Sequence, residues 1–195
     1  MGTFTAAIAM LEYRSIAAGI VAGDAMVKRA ALDVIRSGTV QPGRYLVLVG
    51  GSVAEVEEAI DAAHMVSRDH VVDSMFLPDP HPDLVGALVG DASGGDGEAL
   101  GIIETQSVAS VITAADAGLK GAAVSLREIF LADGLGGKGY LLFRGPLVEV
   151  EAAVEIASDR AGGSLYSSRV IAQLHSEMDE NLSADAHFAA RVRGA

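Results

Sequence analysis

The sequence predicts an α+β protein built from two tandem ferredoxin-like (split βαβ) units, each a four-stranded antiparallel sheet with helices. Three observations predict it. Residues 12–31, EYRSIAAGIVAGDAMVKRAA, align without gaps on residues 104–123, ETQSVASVITAADAGLKGAA, with ten of twenty positions identical. After a two-residue shift the correspondence resumes, with GGSVAEVEEAIDAA at 50–63 lying on RGPLVEVEAAVEIA at 144–157 and His81 falling on His175. Within each copy the apolar pattern alternates between strand and helix periods in the order β-α-β-β-α-β. A period of about 90 residues is longer than the roughly 20–50 of solenoid repeats, so each copy should be a domain with its own core.

Each copy opens on a β-rich run, Thr5 to Tyr13 and Leu100 to Thr105. Ser15 and Ser107 follow as N-caps of a helix whose Asp24 and Lys28, or Asp116 and Lys120, lie four residues apart on one face. Two strands come next, Asp33 to Ser37 and Tyr45 to Gly50, then Ser125 to Leu131 and Tyr140 to Arg144. The glycine- and proline-bearing GTVQPG and ADGLGGKG read as the hairpin loops between them. Ser52 and Glu55 have capping-box spacing before a second helix, and Val71 to Leu77 and Leu165 to Leu174 read as last strands. The domains are placed at 5–88 and 99–183, with a Gly/Asp-rich linker at 89–98 and a tail at 184–195.

Composition narrows the chemistry. No cysteine is present, which excludes disulfides, zinc thiolate sites and a cysteine nucleophile. A formal net charge of -12 disfavours nucleic acid and anionic membranes, whose binding needs clustered Lys and Arg. The N-terminal apolar run lacks a basic flank, and no apolar stretch reaches the roughly 18 residues of a membrane span, so a cytosolic chain is expected.

Several motifs resolve into local structure. GLGGKG at 134–139 satisfies G-x-G-x-x-G, but a strand follows it where a dinucleotide site needs a helix. The linker fails the calcium-loop pattern, with Asp96 at the sixth position and Ile102 at the twelfth. Asp79, His81 and Asp83 alternate in DPHPD, where the prolines predict a rigid extended segment rather than a metal site. Ser52 reads as a helix cap and not an anion site. No nucleophile or acid/base set is visible, so no enzyme activity, catalytic residue, metal or cofactor is assigned.

The string ALGIIETQSVASVITAADAGLKGA, the glycine-bearing hairpin, YLLFRGPLVEVEAAVEIA and the final strand resemble the bacterial microcompartment shell domain. That family reads approximately as LGxIET, AxxAADAxxKAA, a GSG-type loop, RGxVxxVxxAxxA and a closing PRPH. Here the segments are Leu100 to Thr105, Ala114 to Ala123, Leu135 to Gly137, Arg144 to Ala157 and, weakly, Ala172 to His175. LPDPH at 77–81 supplies the closing motif of copy one.

The resemblance implies two microcompartment shell domains of the non-permuted tandem type. By it, three chains form a pseudohexameric homotrimer in the shell of a cytoplasmic microcompartment, joined to other shell proteins at its edges. It implies a central pore for small metabolites or cofactors, lined by Gln41, Pro42 and Gly43 alternating with Leu135, Gly136 and Gly137. It places Asp24, Lys28, Asp79, His81, Asp116, Lys120, Gln173 and His175 at the tile edge, where Asp79 and Gln173 replace the family's arginine. Some tandem members hold an iron–sulfur cluster through a loop cysteine, a role this cysteine-free chain does not support. The element order alone also admits a small-molecule-binding regulatory trimer of ferredoxin-like domains.

Overall fold

The structure is a computed structural model that describes residues 6–92 and 94–182. Copy one runs β1 (Ala7–Tyr13), α1 (Ile16–Arg29), β2 (Val34–Val40), β3 (Arg44–Gly51), α2 (Val53–Ser67), β4 (Val71–Pro78) and α3 (Pro82–Leu88). Copy two repeats the order with β5 (Ala99–Thr105), α4 (Val108–Gly121), β6 (Ser125–Leu131), β7 (Gly139–Gly145), α5 (Leu147–Ala161), β8 (Leu165–Ile171) and α6 (Ser176–Leu182). The sheets have orders β2-β3-β1-β4 and β6-β7-β5-β8, with antiparallel neighbours throughout. This is the split βαβ arrangement the sequence predicts. Thr5 and the 184–195 tail lie outside the described residues.

Local chemistry sets the helix starts. The Ser15 and Ser107 hydroxyls accept from the Ala18 and Ser110 amides, satisfying donors with no partner inside the helix. Ser52 and Glu55 close a reciprocal capping box; copy two has Pro146 there and no side-chain cap. GLGGKG is a hairpin turn leading straight into β7.

Two expectations need correction. The strand expected over Leu165–Leu174 stops at Ile171, and each copy ends in a short helix, α3 or α6, that the apolar pattern did not reveal. In α3 the proline at the first helical position suits a helix start, because its missing N–H would have no partner there. The His81 ring Nδ1 accepts from the Asp83 amide at 3.2 Å, so DPHPD turns into a helix instead of staying extended.

Side-chain alternation along β1 positions the site. Ala7, Ala9, Leu11 and Tyr13 face α1 and α2 in the core of copy one. Ile8 and Met10 point the other way and join Met75, Leu77 and Leu84 in a second core shared with Val108, Ile112 and Phe143 of copy two. Copy one's sheet is therefore covered on both faces, and one continuous apolar cluster joins the copies.

Candidate functional site at the junction of the two copies

Glu12 lies on the β1 face that looks toward copy two, and its side chain is fully buried. One carboxylate oxygen accepts from the Ala109 amide in the first turn of α4 at 2.6 Å, and the other lies 3.4 Å from the Arg44 guanidinium. Arg44 also donates to the carbonyls of Gln106 at 3.3 Å and Gly137 at 3.4 Å. Beside it, the Asp73 carboxylate of β4 accepts from the hydroxyls of Ser107 and Ser110. Two copy-one acids thus occupy the start of a copy-two helix, where unpaired amides and the helix dipole favour negative charge. Burial, the largest influence, pushes the Glu12 carboxyl up from its ordinary 4.5 to about 7, and Asp73 pushes the same way. The Ala109 and Val108 amides and Arg44 pull it down.

Farther along α4 the contact is again polar. The His81 amide donates to Asp116 Oδ1 at 2.8 Å, and the Lys120 ammonium donates to the Asp79 carbonyl and to Asp116 Oδ2, each at 2.7 Å. Asp79 adopts a positive φ of 61°, which a short polar side chain tolerates, and this aims its carbonyl at Lys120. Four of the eight predicted edge residues, Asp79, His81, Asp116 and Lys120, therefore meet across the seam between the copies. Asp24 and Lys28 pair with each other at 2.6 Å on the open surface of α1. Gln173 and His175 lie at the copy-two end that corresponds to Asp79 and His81.

The same helix face has opposite fates in the two copies. Val108, Ile112 and Leu119 of α4 are 0%, 0% and 5% exposed, whereas Ile16, Ile20 and Val27, their counterparts in α1, are 41%, 53% and 47% exposed. The copy-two side that corresponds to the seat of α4 is also open, with Ile171 exposed where Leu77 is buried. Glu104, the counterpart of Glu12, is partly exposed and bound to Lys138 at 2.7 Å, which stands where copy one has Arg44. Among the described residues, nothing covers this face of α1 or the corresponding side of copy two.

The hairpin loops come together at one end of this junction. A Cβ on Gly137 would sit 3.1 Å from the Arg44 guanidinium and 3.2 Å from the Gln41 carbonyl. Gly43, Gly136 and Gly137 have φ of 102°, 65° and 88°, a region favourable only to glycine. Residues 41–43 and 135–137 thus form neighbouring, backbone-rich turns. What pattern reasoning missed is the junction itself. In the sequence Glu12 and Glu104 are visible only as matched repeat positions, Ser107 as a matched position and a cap, and Arg44, Asp73 and Ser110 carry no local signal.

The BMC domain matches residues 7–80 and again residues 99–174. The chain is 41% identical over 174 residues to the bacterial microcompartment shell protein PduT of Citrobacter freundii, covering 88% of this chain and 95% of that protein. The carboxysome shell protein CsoS1C of Halothiobacillus neapolitanus aligns over 93 residues at 40% identity, covering 44% of this chain and 89% of its own. A microcompartment protein of Desulfitobacterium hafniense superposes with a TM-score of 0.80 at 36% identity, over 90% of this chain and 99% of that one. With two BMC domains in tandem and this junction between them, the chain belongs to the bacterial microcompartment shell-protein family.

Proposed function

We propose that this shell protein works as a closed ring of three chains, six domains in all, that tiles a microcompartment facet and passes small metabolites through a central pore. The single observation that carries the reading is the contrast between α4 and α1. One junction is complete within the chain, and among the described residues both faces of an equivalent junction stand open. A second chain seated as copy one seats copy two would cover Ile16, Ile20 and Val27, and repeating that step three times closes the ring. In it, Lys28 would reach the Gln173 carbonyl of the next chain as Lys120 reaches that of Asp79.

The same operation brings three copies of each hairpin loop around one axis. Gln41, Pro42 and Gly43 would then alternate with Leu135, Gly136 and Gly137 around a threefold pore. Glycines let backbones crowd an axis and leave amides to meet anionic solutes. The chain acts as a structural and transport component, and its residues supply no catalytic role in this reading.

The outer rim of each seam would meet other shell proteins. Lys120 is bound at the seam yet its side chain is 41% exposed, so it can serve a neighbouring tile as well. Light scattering tests the ring: a mass of about 60 kDa, three times the 20.0 kDa chain, is expected, and a monomer across the micromolar range refutes it. Layered assembly on over-expression tests the edges: Lys28→Ala with Lys120→Ala should keep the ring and abolish sheets.

A further inference from the structure

Copy two carries a cationic pair that copy one lacks. The pairing of β2 with β3 is regular, but β6 is bulged against β7 between Leu126 and Glu128, and the extra residue is Arg127. A bulge re-aims a side chain, and here it turns Arg127 toward Arg144, which stands on β7 where β3 has Gly50. Both arginine side chains are close to nine-tenths covered, and their guanidinium groups converge on the carboxylate of Asp179 in α6.

The grip is that of a built carboxylate site. Arg144 Nη1 and Nη2 donate to Asp179 Oδ1 and Oδ2 as a fork, each at 3.1 Å. Arg127 donates through Nη1 to Oδ1 and through Nη2 to the Asp179 carbonyl at 3.0 Å. Arg144 is itself held by its Nε donating to the Gly97 carbonyl at 2.7 Å. The linker fits closely: a Cβ on Gly97 would fall 2.6 Å from the Gly145 backbone, and one on Gly95 would fall 2.5 Å from Ser125 Cβ. A cavity of about 640 Å³ opens beside the pair, and Asp96 and Glu128 also line it.

The Asp179 carboxyl is held below its ordinary range, first by the hydrogen bond from Arg127 and also by the charges of both arginines. The helix that carries it offers little apolar anchorage. No residue of α6 is buried, and Met178 is exposed where Leu84, its counterpart in α3, is fully buried. Seven residues do not hold a helix in water unaided. The two lining acids repel multiply charged anions, so the arginines suit a single carboxylate.

We propose that Arg127 and Arg144 form a binding clamp for a small monocarboxylate, occupied in cis by Asp179, with α6 acting as a releasable latch over the site. The test is phenylglyoxal labelling of the full chain, read residue by residue by mass spectrometry and normalised to Arg44. In Asp179→Ala, labelling of Arg127 and Arg144 should rise at least about tenfold, and acetate should restore protection that chloride at equal ionic strength does not. Asp179→Asn, which keeps the side-chain volume, should show the same direction. Unchanged labelling in both variants overturns the clamp, as does acetate that protects no better than chloride. Stronger protection by inorganic phosphate than by acetate overturns the monocarboxylate assignment.

Discussion

Helices α1 and α4 come from one duplicated segment, yet a face that is core in α4 is surface in α1. Each has a serine cap and an Asp–Lys pair four residues apart. The difference lies in what that face meets: in α4 it is seated on β4 and α3 of copy one, and in α1 nothing among the described residues covers it. Amphipathic pattern specifies a face, and the neighbour decides whether that face is core or interface.

A charge placed at the same position in both helices should have the most unequal effects. Ile112→Asp puts a carboxylate in the shared core and should cost more than about 4 kcal/mol, enough to lose cooperative unfolding in a denaturant titration. Ile20→Asp should change the stability of the isolated chain by no more than about 0.5 kcal/mol, while shifting light scattering from three chains to one. Equal losses of stability at the two positions would contradict the account.

A smaller contrast separates α3 from α6. Leu84→Ala removes a fully buried side chain and should cost roughly 2–5 kcal/mol, whereas Met178→Ala in the isolated chain should stay within about 0.5 kcal/mol. Chemical denaturation of the two variants under dissociating conditions decides it.

Glu12 and Glu104 give the next contrast. Glu12→Ala strands the Ala109 amide and removes the carboxylate bound to Arg44, for a loss of about 1–3 kcal/mol, while Glu104→Ala breaks a partly exposed pair and should cost less. Glu12 also sets a pH dependence. Its folded pKa of about 7 exceeds the ordinary 4.5, so the native chain retains a proton that the unfolded chain releases. Stability contributed by this group is therefore full below about 4.5 and falls as pH rises toward 7. Melting curves of Glu12→Gln, which can still accept from Ala109, should lose that slope.

The smallest effect is at the exposed pair. Lys28→Ala should cost the isolated chain about 0.3–0.5 kcal/mol, and Lys120→Ala more, because Lys120 also binds the Asp79 carbonyl. Thermal unfolding under dissociating conditions measures both.

Much of the fold was legible because strand and helix periods are local. The Ser52–Glu55 box, the serine caps and the GLGGKG hairpin each follow from residues a few positions apart. The short helices α3 and α6 were not, since one or two turns give too little periodicity to register. At the site, Asp116 and Lys120 were visible as a helical pair, but their partners Asp79 and His81 lie some forty positions away, and only the fold brings them together. Arg127 was hidden for a related reason: its orientation depends on a bulge that alternation does not encode. The duplication gave the matched positions, and the structure turned those matches into one filled seam and one open one.

Cross-linking across the open seam decides whether three chains close into a ring. Because the chain has no cysteine, Asp24→Cys with His175→Cys introduces two thiols, placed where the filled seam holds Asp116 against His81. Treated with a short bis-maleimide, the variant should give covalent species of two and three chains and stop at three. A chain that cross-links to no other, or a ladder that continues past three, would contradict the closed ring.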